Sequence, residues 1–446
     1  MWTADMAGYR VRILSMHYPP ETSGNAPYAG ALASALSARG HDVSAYVAHP
    51  HYPEWKLRAG YGQWGRTEVA DRVVIRRMRH YIPNPPRGAR RLLSELTFGI
   101  RLVFNKFGTR SIVIAVSPAL ISTALVALRI RLTPRRPRLV VWVQDIYTLG
   151  MRETKEGAGL AVRTMQWVEG LTLRAADQVI VIHPTFCEFL VENFRVKPER
   201  TAVVRNWTHL KPVPPITKNA ARIALGWDTD SVLAVHTGNM GAKQGLENVV
   251  AAARLADEEL LPIRFVLVGD GGERSRLEQL AEGISRIQFV DPLDPADYQY
   301  ALAAADCLVV NEMPGVANMA VPSKLTSYFH AMRPVVAATD PDGITASEVQ
   351  RSGAGCVVPA GDPRALLDMA VDLSLDHCHA AKLGAAGYSF CREFLSEDAA
   401  IESFERVIEG VMRLDGIRRP DGARGPGCVN GTVQASSSSA DGRRAG

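Results

Sequence analysis

Five short loops carry the side chains best able to do chemistry; four follow an apolar run and the fifth opens a helix. The first, His17-Tyr-Pro-Pro-Glu-Thr-Ser-Gly-Asn-Ala26, leads into a stretch of small residues from Ala29 to Ala38. Gly24 lets the backbone come close to a ligand, and a helix starting there offers free N–H groups to an anion. A plain strand–helix connection is the bland alternative, and without G-x-G-x-x-G a dinucleotide site has little support. The second loop ends in Val143-Gln-Asp145 after the apolar run Leu139 to Val143. An acid there can orient a hydroxyl or act as a base, or simply cap a helix. The third, Thr237-Gly-Asn-Met-Gly-Ala-Lys243-Gln-Gly245, combines three glycines, the Asn239 amide and the Lys243 cation. That composition suits a phosphate cradle, although Gly-Lys-Ser/Thr is missing and a surface turn with a solvated lysine is the alternative.

The fourth loop, Val268-Gly-Asp-Gly-Gly272, is weak alone because such turns are common. Paired with the third, its Gly269 and Gly271 suggest a nucleotide pocket. The fifth, Val321-Pro-Ser-Lys-Leu325, opens a helix with backbone donors, the Ser323 hydroxyl and the Lys324 cation, which suits a pyrophosphate or a merely capped helix. No H-E-x-x-H or G-x-S-x-G signature occurs. His17, His41, His49 and His51 lie near one another in sequence but are separated by a strand and a helix, so they read as individual polar residues and no metal site is expected. Six cysteines without a C-x-x-C pair argue for free thiols in a reducing compartment.

The elements that must position these loops are legible as an alternation. Short β-rich runs fall at 11–16, 42–47, 72–77, 111–116, 138–143 and 178–182, and again at 231–237, 263–268, 286–290, 306–310, 334–337 and 355–358. Helix-length segments separate most of them. Continuous apolar strands between helices imply parallel sheets covered on both faces. The pattern restarts after Lys211-Pro-Val-Pro-Pro215, a linker composition. The expected architecture is α/β, with two doubly wound Rossmann-like domains facing across a cleft. The expected boundaries are 1–205, 206–390, a helix within 391–414, and a disordered tail at 415–446. Ligands of such sheets sit beyond the carboxyl ends of the strands, where the first four loops are. Residues 111–128 carry no charge and approach the length of a membrane span, but Ser117 and Pro118 split them into a strand and a buried helix.

The net charge of +5 conceals a division. Residues 1–200 carry +13, the remainder carries −8, and residues 87–138 alone carry +10 with Glu95 as the one acid. A segment so basic implies an anionic neighbour. Residues 88–107 alternate apolar and basic side chains at helical spacing, which is compatible with a helix lying on an anionic bilayer or one packed with a solvated basic face. Few aromatics are interleaved there, and no nucleic-acid-binding motif occurs. Asp5 near the start and the lack of an apolar leader make the expected location cytoplasmic, with attachment to the inner face of the plasma membrane left open.

Taken in order, the loops resemble the retaining sugar transferases of glycosyltransferase family 4, of GT-B fold, and among these the colanic acid and exopolysaccharide enzymes. The resemblance covers about residues 10–410. It rests on Tyr18-Pro-Pro-Glu-Thr-Ser-Gly24, His41-Asp-Val43, Tyr52-Pro-Glu-Trp55, Ser117-Pro118, Trp142-Val-Gln-Asp145 and Asn206-Trp207 in the first half. In the second half it rests on His236-Thr-Gly-Asn239, Lys243-Gln-Gly-Leu-Glu247, Val268-Gly-Asp-Gly271 and Pro322-Ser-Lys-Leu325. The resemblance implies that the first domain holds the acceptor and the second a UDP- or GDP-sugar. Gly24, Asn239, Lys243, Gly269, Gly271, Ser323, Lys324, Leu325 and Ser327 would then hold the donor. Asp145 and Lys243 would act on the reacting sugar and its leaving group, with no cofactor and no obligatory metal. The implied acceptor is lipid-linked and anionic, at a membrane met by 87–138. One departure stands out. The family's paired glutamates would fall at Met319 and Ser327, neither of which is acidic, while Glu312 lies seven residues before Met319. A nucleotide-sugar 2-epimerase and a non-catalytic sugar-binding paralogue are the competing readings. Nucleic acid is not expected as a partner.

Overall fold

The computed structural model describes residues 8–22, 24–84, 88–149, 159–208, 210, 216–315 and 323–413. The expected linker at 211–215, the tail from 415 and Met319 lie outside them. Two parallel sheets organise the rest, as the alternation of runs implies. The first has eight strands in the order β3-β4-β2-β1-β5-β6-β7-β8. These are β1 Arg10–Ser15, β2 Asp42–Ala48, β3 Gly65–Ala70, β4 Val73–Met78, β5 Ser111–Val116, β6 Arg138–Val143, β7 Gln178–Val181 and β8 Thr201–Val203. All pairings are parallel except β3 with β4. The second sheet runs β11-β10-β9-β12-β13-β14, all parallel. Its strands are β9 Val232–Thr237, β10 Ile263–Val268, β11 Ile287–Val290, β12 Cys307–Asn311, β13 Val335–Ala338 and β14 Gly355–Val358.

The helices follow from the strands they cover. In the first half they are α1 Ala26–Ala38, α2 Ala89–Val103, α3 Leu120–Leu132, α4 Leu160–Ala175 and α5 Pro184–Phe194. In the second half come α6 Lys218–Leu225, α7 Glu247–Glu258, α8 Arg274–Leu280, α9 Pro295–Ala304, α10 Lys324–His330, α11 Ile344–Ser352, α12 Pro363–Leu375, α13 His377–Phe394 and α14 Glu397–Arg413. Helices α2, α3, α4 and α5 share one core on one face of the first sheet. The other face is covered by α1 and by α14, whose Phe404 packs edge-on against Trp142 at 4.8 Å. Arg39 and His41 also bind Glu405 of α14, at 2.7 and 3.1 Å. The last helix of the described chain therefore completes the core of the first domain.

Among the described residues no helix is long and apolar enough to cross a membrane. The uncharged 111–128 stretch forms β5, a turn and most of α3.

In each sheet the chain reverses direction across the strands once, and ligands of doubly wound folds bind at that switch point. The first switch lies between β1 and β5. There Asn25 Nδ2 donates to Ser117 O at 2.9 Å, tying the two loops together. The second lies between β9 and β12. There Asn311 Nδ2 donates to Gln244 O and Gly245 O at 2.8 and 2.9 Å, and Met313 N donates to Lys243 O at 2.9 Å. The two domains are joined by a buried contact: Glu348 of α11 accepts from His183 Nε2 at 2.9 Å and pairs with Arg205.

Candidate active site

A cleft of about 570 Å³ opens beyond the first switch point. Its walls include His17, Gly24, Asn25, Arg91, Glu95, Asp145 and, from the second domain, Ser323. Gly24 has φ +64°, a left-handed conformation that glycine adopts without strain. Asp145 stands at the end of β6. Its side chain is exposed to the cleft, and the crowding of the walls around it raises its carboxyl above the ordinary value, opposed by the charges of Lys243 and Arg91. Lys243 lies in the second domain, on a short turn after β9. The charge of Lys243 in the second domain is thus near enough to act on the acid of the first. Beside Asp145, Gln144 and Asn206 exchange amide hydrogen bonds of 3.1 and 2.8 Å and fix the cleft floor.

The remaining second-domain residues divide by what their side chains do. Lys324 Nζ sits 3.2 Å from His236 Nε2, and burial pulls its ammonium down to about 8 against the favourable charge of Glu312. Glu312 is itself largely buried. That raises its carboxyl, although hydrogen bonds from Thr339 and Thr345 oppose the shift. It lies at the end of β12, close enough to Lys324 to supply a carboxylate in the half where the paired glutamates are replaced. Asn239 and Lys243 are exposed. Gly269 and Gly271 serve a packing need: a Cβ on either would strike the backbone of Gly238 or Met240, within 2.0 and 2.5 Å. These glycines let the loops after β9 and β10 lie against each other. Leu325 points into the domain core, so only its backbone could face a ligand. Ser327 is half-buried on α10.

Two features escape sequence reasoning. Glu95, on the buried face of α2, accepts from Ile121 N at the start of α3 at 3.0 Å. Burial raises its carboxyl to about 7, against that hydrogen bond and the charge of Arg91. Its only sequence signal is that it is the lone acid among eleven basic residues. The second is a cluster of imidazoles. His17 and His51 stack at 5.3 Å, and both meet Glu21. Sequence separation hid this, because the loops after β1 and β2 converge only in the fold. The ligand atoms of His17, Glu21 and His51 lie within 4.8 Å of one another, a spacing that could hold a metal ion. Glu21 is already satisfied without one, accepting from His51 N, Tyr52 N and His17 Nδ1 at 2.7, 2.9 and 2.9 Å.

Residues 23–207 match the glycosyl transferase 4-like domain, and residues 231–376 match glycosyl transferases group 1. The colanic acid biosynthesis glycosyl transferase WcaI of Escherichia coli K12 is 30% identical over 333 residues, spanning 71% of this chain and 80% of that protein. Sucrose-phosphate synthase from Thermosynechococcus elongatus superposes with a TM-score of 0.70 at 19% identity, covering 91% of this chain and all of that one. Anabaena HepE in complex with UDP superposes at 0.64 and 15% identity, covering 90% of this chain and all of that one.

Proposed function

The chain belongs to glycosyltransferase family 4, and on that premise we propose that it moves a sugar from a UDP- or GDP-sugar to a lipid-linked, anionic saccharide in cell-surface polysaccharide synthesis. The observation that supports this is that Lys243, in a loop of the second domain, acts by its charge on Asp145 at the end of β6 in the first. HepE binds UDP in a similar fold, which supports a nucleotide donor here. In the proposed step the acceptor oxygen bonds to the anomeric carbon on the face from which the nucleoside diphosphate departs, so configuration is retained. The bond from that carbon to the diphosphate breaks, and the acceptor proton leaves on a diphosphate oxygen. Lys243 and Lys324 stabilise the charge growing on the leaving group, and Asp145 orients the sugar. No metal is assigned a role in this reading.

The acceptor's membrane has its own support. Helix α2 is apolar on both sides: Phe98 and Leu102 face the core, while Leu93, Leu96 and Ile100 are exposed. The neighbouring α3 exposes Leu128 and Leu132, and α4, packed on α3, exposes Leu160, Trp167 and Leu171. Arg90, Arg131 and Arg163 lie among them and are exposed. Aliphatic stripes interspersed with arginines suit the surface of an anionic bilayer. Some of the basic segment is spent internally, since Arg136 and Arg138 bind Asp177.

The test is a screen of nucleotide-sugars for binding and turnover with wild type and Lys243→Ala. Loss of one group stabilising the leaving charge should lower transfer about 100-fold. A chain that binds no nucleotide-sugar, or an unaffected variant, would overturn the reading.

A further inference from the structure

A second cavity of about 430 Å³ lies beside the cleft, between the loops that follow β2 and β4. Its walls include His49, Trp55, Leu57, Arg79, His80 and Tyr81, and Trp55 also lines the cleft. Three features of this cavity have no structural explanation within the fold. Arg79 is exposed and has no carboxylate partner among the described residues, whereas its neighbour Arg77 is taken up by Glu68 and Pro19 O. Both ring nitrogens of His80 and Nδ1 of His49 are buried without a hydrogen-bond partner. Such atoms are destabilising unless something else satisfies them. Trp55 has φ +51°, a left-handed conformation unfavourable for a bulky side chain. Burial and the neighbouring imidazoles keep His80 well below its ordinary range, so it is neutral and can both donate and accept.

An aromatic face, neutral imidazoles and one free cation are the groups that recognise a sugar bearing a negative charge. We propose that this cavity is an acceptor subsite for an anionic saccharide unit, its ring against Trp55, its charged group on Arg79 and its hydroxyls on His49 and His80. The proposal rests on the glycosyltransferase reading above and places this unit one step beyond the sugar being extended, because Trp55 is the wall the cavity shares with the cleft. The His80 nitrogens are shut off from solvent, so its ring turns about χ2 to meet the ligand, a rotation with a broad well. The negative group is either a carboxylate, as in a uronic acid, or a phosphate ester.

The experiment is saturation-transfer NMR on the full chain with methyl glucuronide, glucose 6-phosphate and neutral methyl glucoside, alongside a separate UDP titration. Binding of the glucuronide assigns a carboxylate, and binding of glucose 6-phosphate assigns a phosphate. Arg79→Gln should weaken the anionic sugar about tenfold, the worth of one charge-assisted hydrogen bond, and leave UDP unchanged. His80→Phe keeps the ring and removes the unbonded nitrogens, so it should raise the unfolding temperature while weakening the sugar. Equal binding of neutral and anionic sugars, no binding of any at about 10 mM, or an unchanged Arg79→Gln would overturn the subsite. Failure of UDP alone, with the sugar still bound, would sink the donor reading and leave the subsite standing.

Discussion

The ammonium of Lys324 donates to Nε2 of His236 at 3.2 Å, while His236 Nδ1 lies 3.2 Å from Val309 O. A carbonyl only accepts, so the ring proton is on Nδ1 and Nε2 offers its lone pair. Burial holds His236 well below its ordinary range, which fits this neutral tautomer. Lys324 therefore keeps its charge beside a neutral acceptor, and burial brings it down to about 8. Below that value it is a cation, the form that the proposed diphosphate contact requires; above it the charge is lost. UDP affinity should fall between pH 7 and pH 9, measured by calorimetry at constant ionic strength. Lys324→Met should bind about tenfold more weakly at pH 7, with a flatter pH profile. Wild-type affinity that does not change across this range would remove Lys324 from the donor site.

Glu348 holds the domains together through His183 and Arg205. Burial alone would raise its carboxyl, but the hydrogen bond from His183 and the charge of Arg205 outweigh this and hold it below the ordinary value. A depressed carboxylate stabilises above its unfolded value, and that contribution disappears as pH falls through the folded one. Glu348→Ala strands a buried arginine and should cost about 3–5 kcal/mol in urea unfolding. The same variant should broaden the particle in small-angle scattering. A change below about 1 kcal/mol would show that the contact is incidental.

Glu95 gives the opposite pH dependence. Its carboxyl is raised from 4.5 to about 7 in the fold. Between these values the folded chain keeps a proton that the unfolded chain releases, so stability falls as pH rises. The full effect is up to about 3 kcal/mol. Glu95→Gln should remove this slope and be the more stable protein at pH 8, read by denaturant titration at several pH values. Parallel curves for the two proteins would disprove the assignment.

The exposed stripes of α2, α3 and α4 predict binding to vesicles containing phosphatidylglycerol. Leu96, Ile100 and Trp167 are 37, 45 and 64% exposed, so replacing all three with serine should not disturb the core. The triple variant should lose at least about tenfold in cosedimentation, since each inserted side chain contributes of order 1 kcal/mol. High salt should weaken the wild type as well. Equal sedimentation of both proteins would refute a membrane role for this face.

The parallel strands were readable because both faces are buried: β5 is Ser-Ile-Val-Ile-Ala-Val and β6 is Arg-Leu-Val-Val-Trp-Val. Strand β3, Gly-Arg-Thr-Glu-Val-Ala, was not, because it is an exposed antiparallel edge with polar residues on both sides. Three-residue β8 is too short to leave a pattern. Asp145 and Lys243 both stand in loops that follow strands, which is why the alternation of runs singled them out. Glu95 and His80 were invisible for another reason. Their character comes from neighbours distant in the chain, the start of α3 for one and the His17–His51 stack for the other. Gly269 and Gly271 show the reverse: a motif suggestive of phosphate contact also meets a demand for backbone close to backbone.

The return of α14 onto the first domain constrains how the protein is made. Trp142 and Trp207 stack at 6.2 Å beneath Phe404, which emerges from the ribosome nearly 200 residues after Trp207. At about 5–20 residues per second, the nascent first domain waits on the order of 10–40 s with one apolar face uncovered. The core of the first domain is finished only when α14 packs onto it, so the full burial of Trp142 and Trp207 waits on a helix made after the whole second domain.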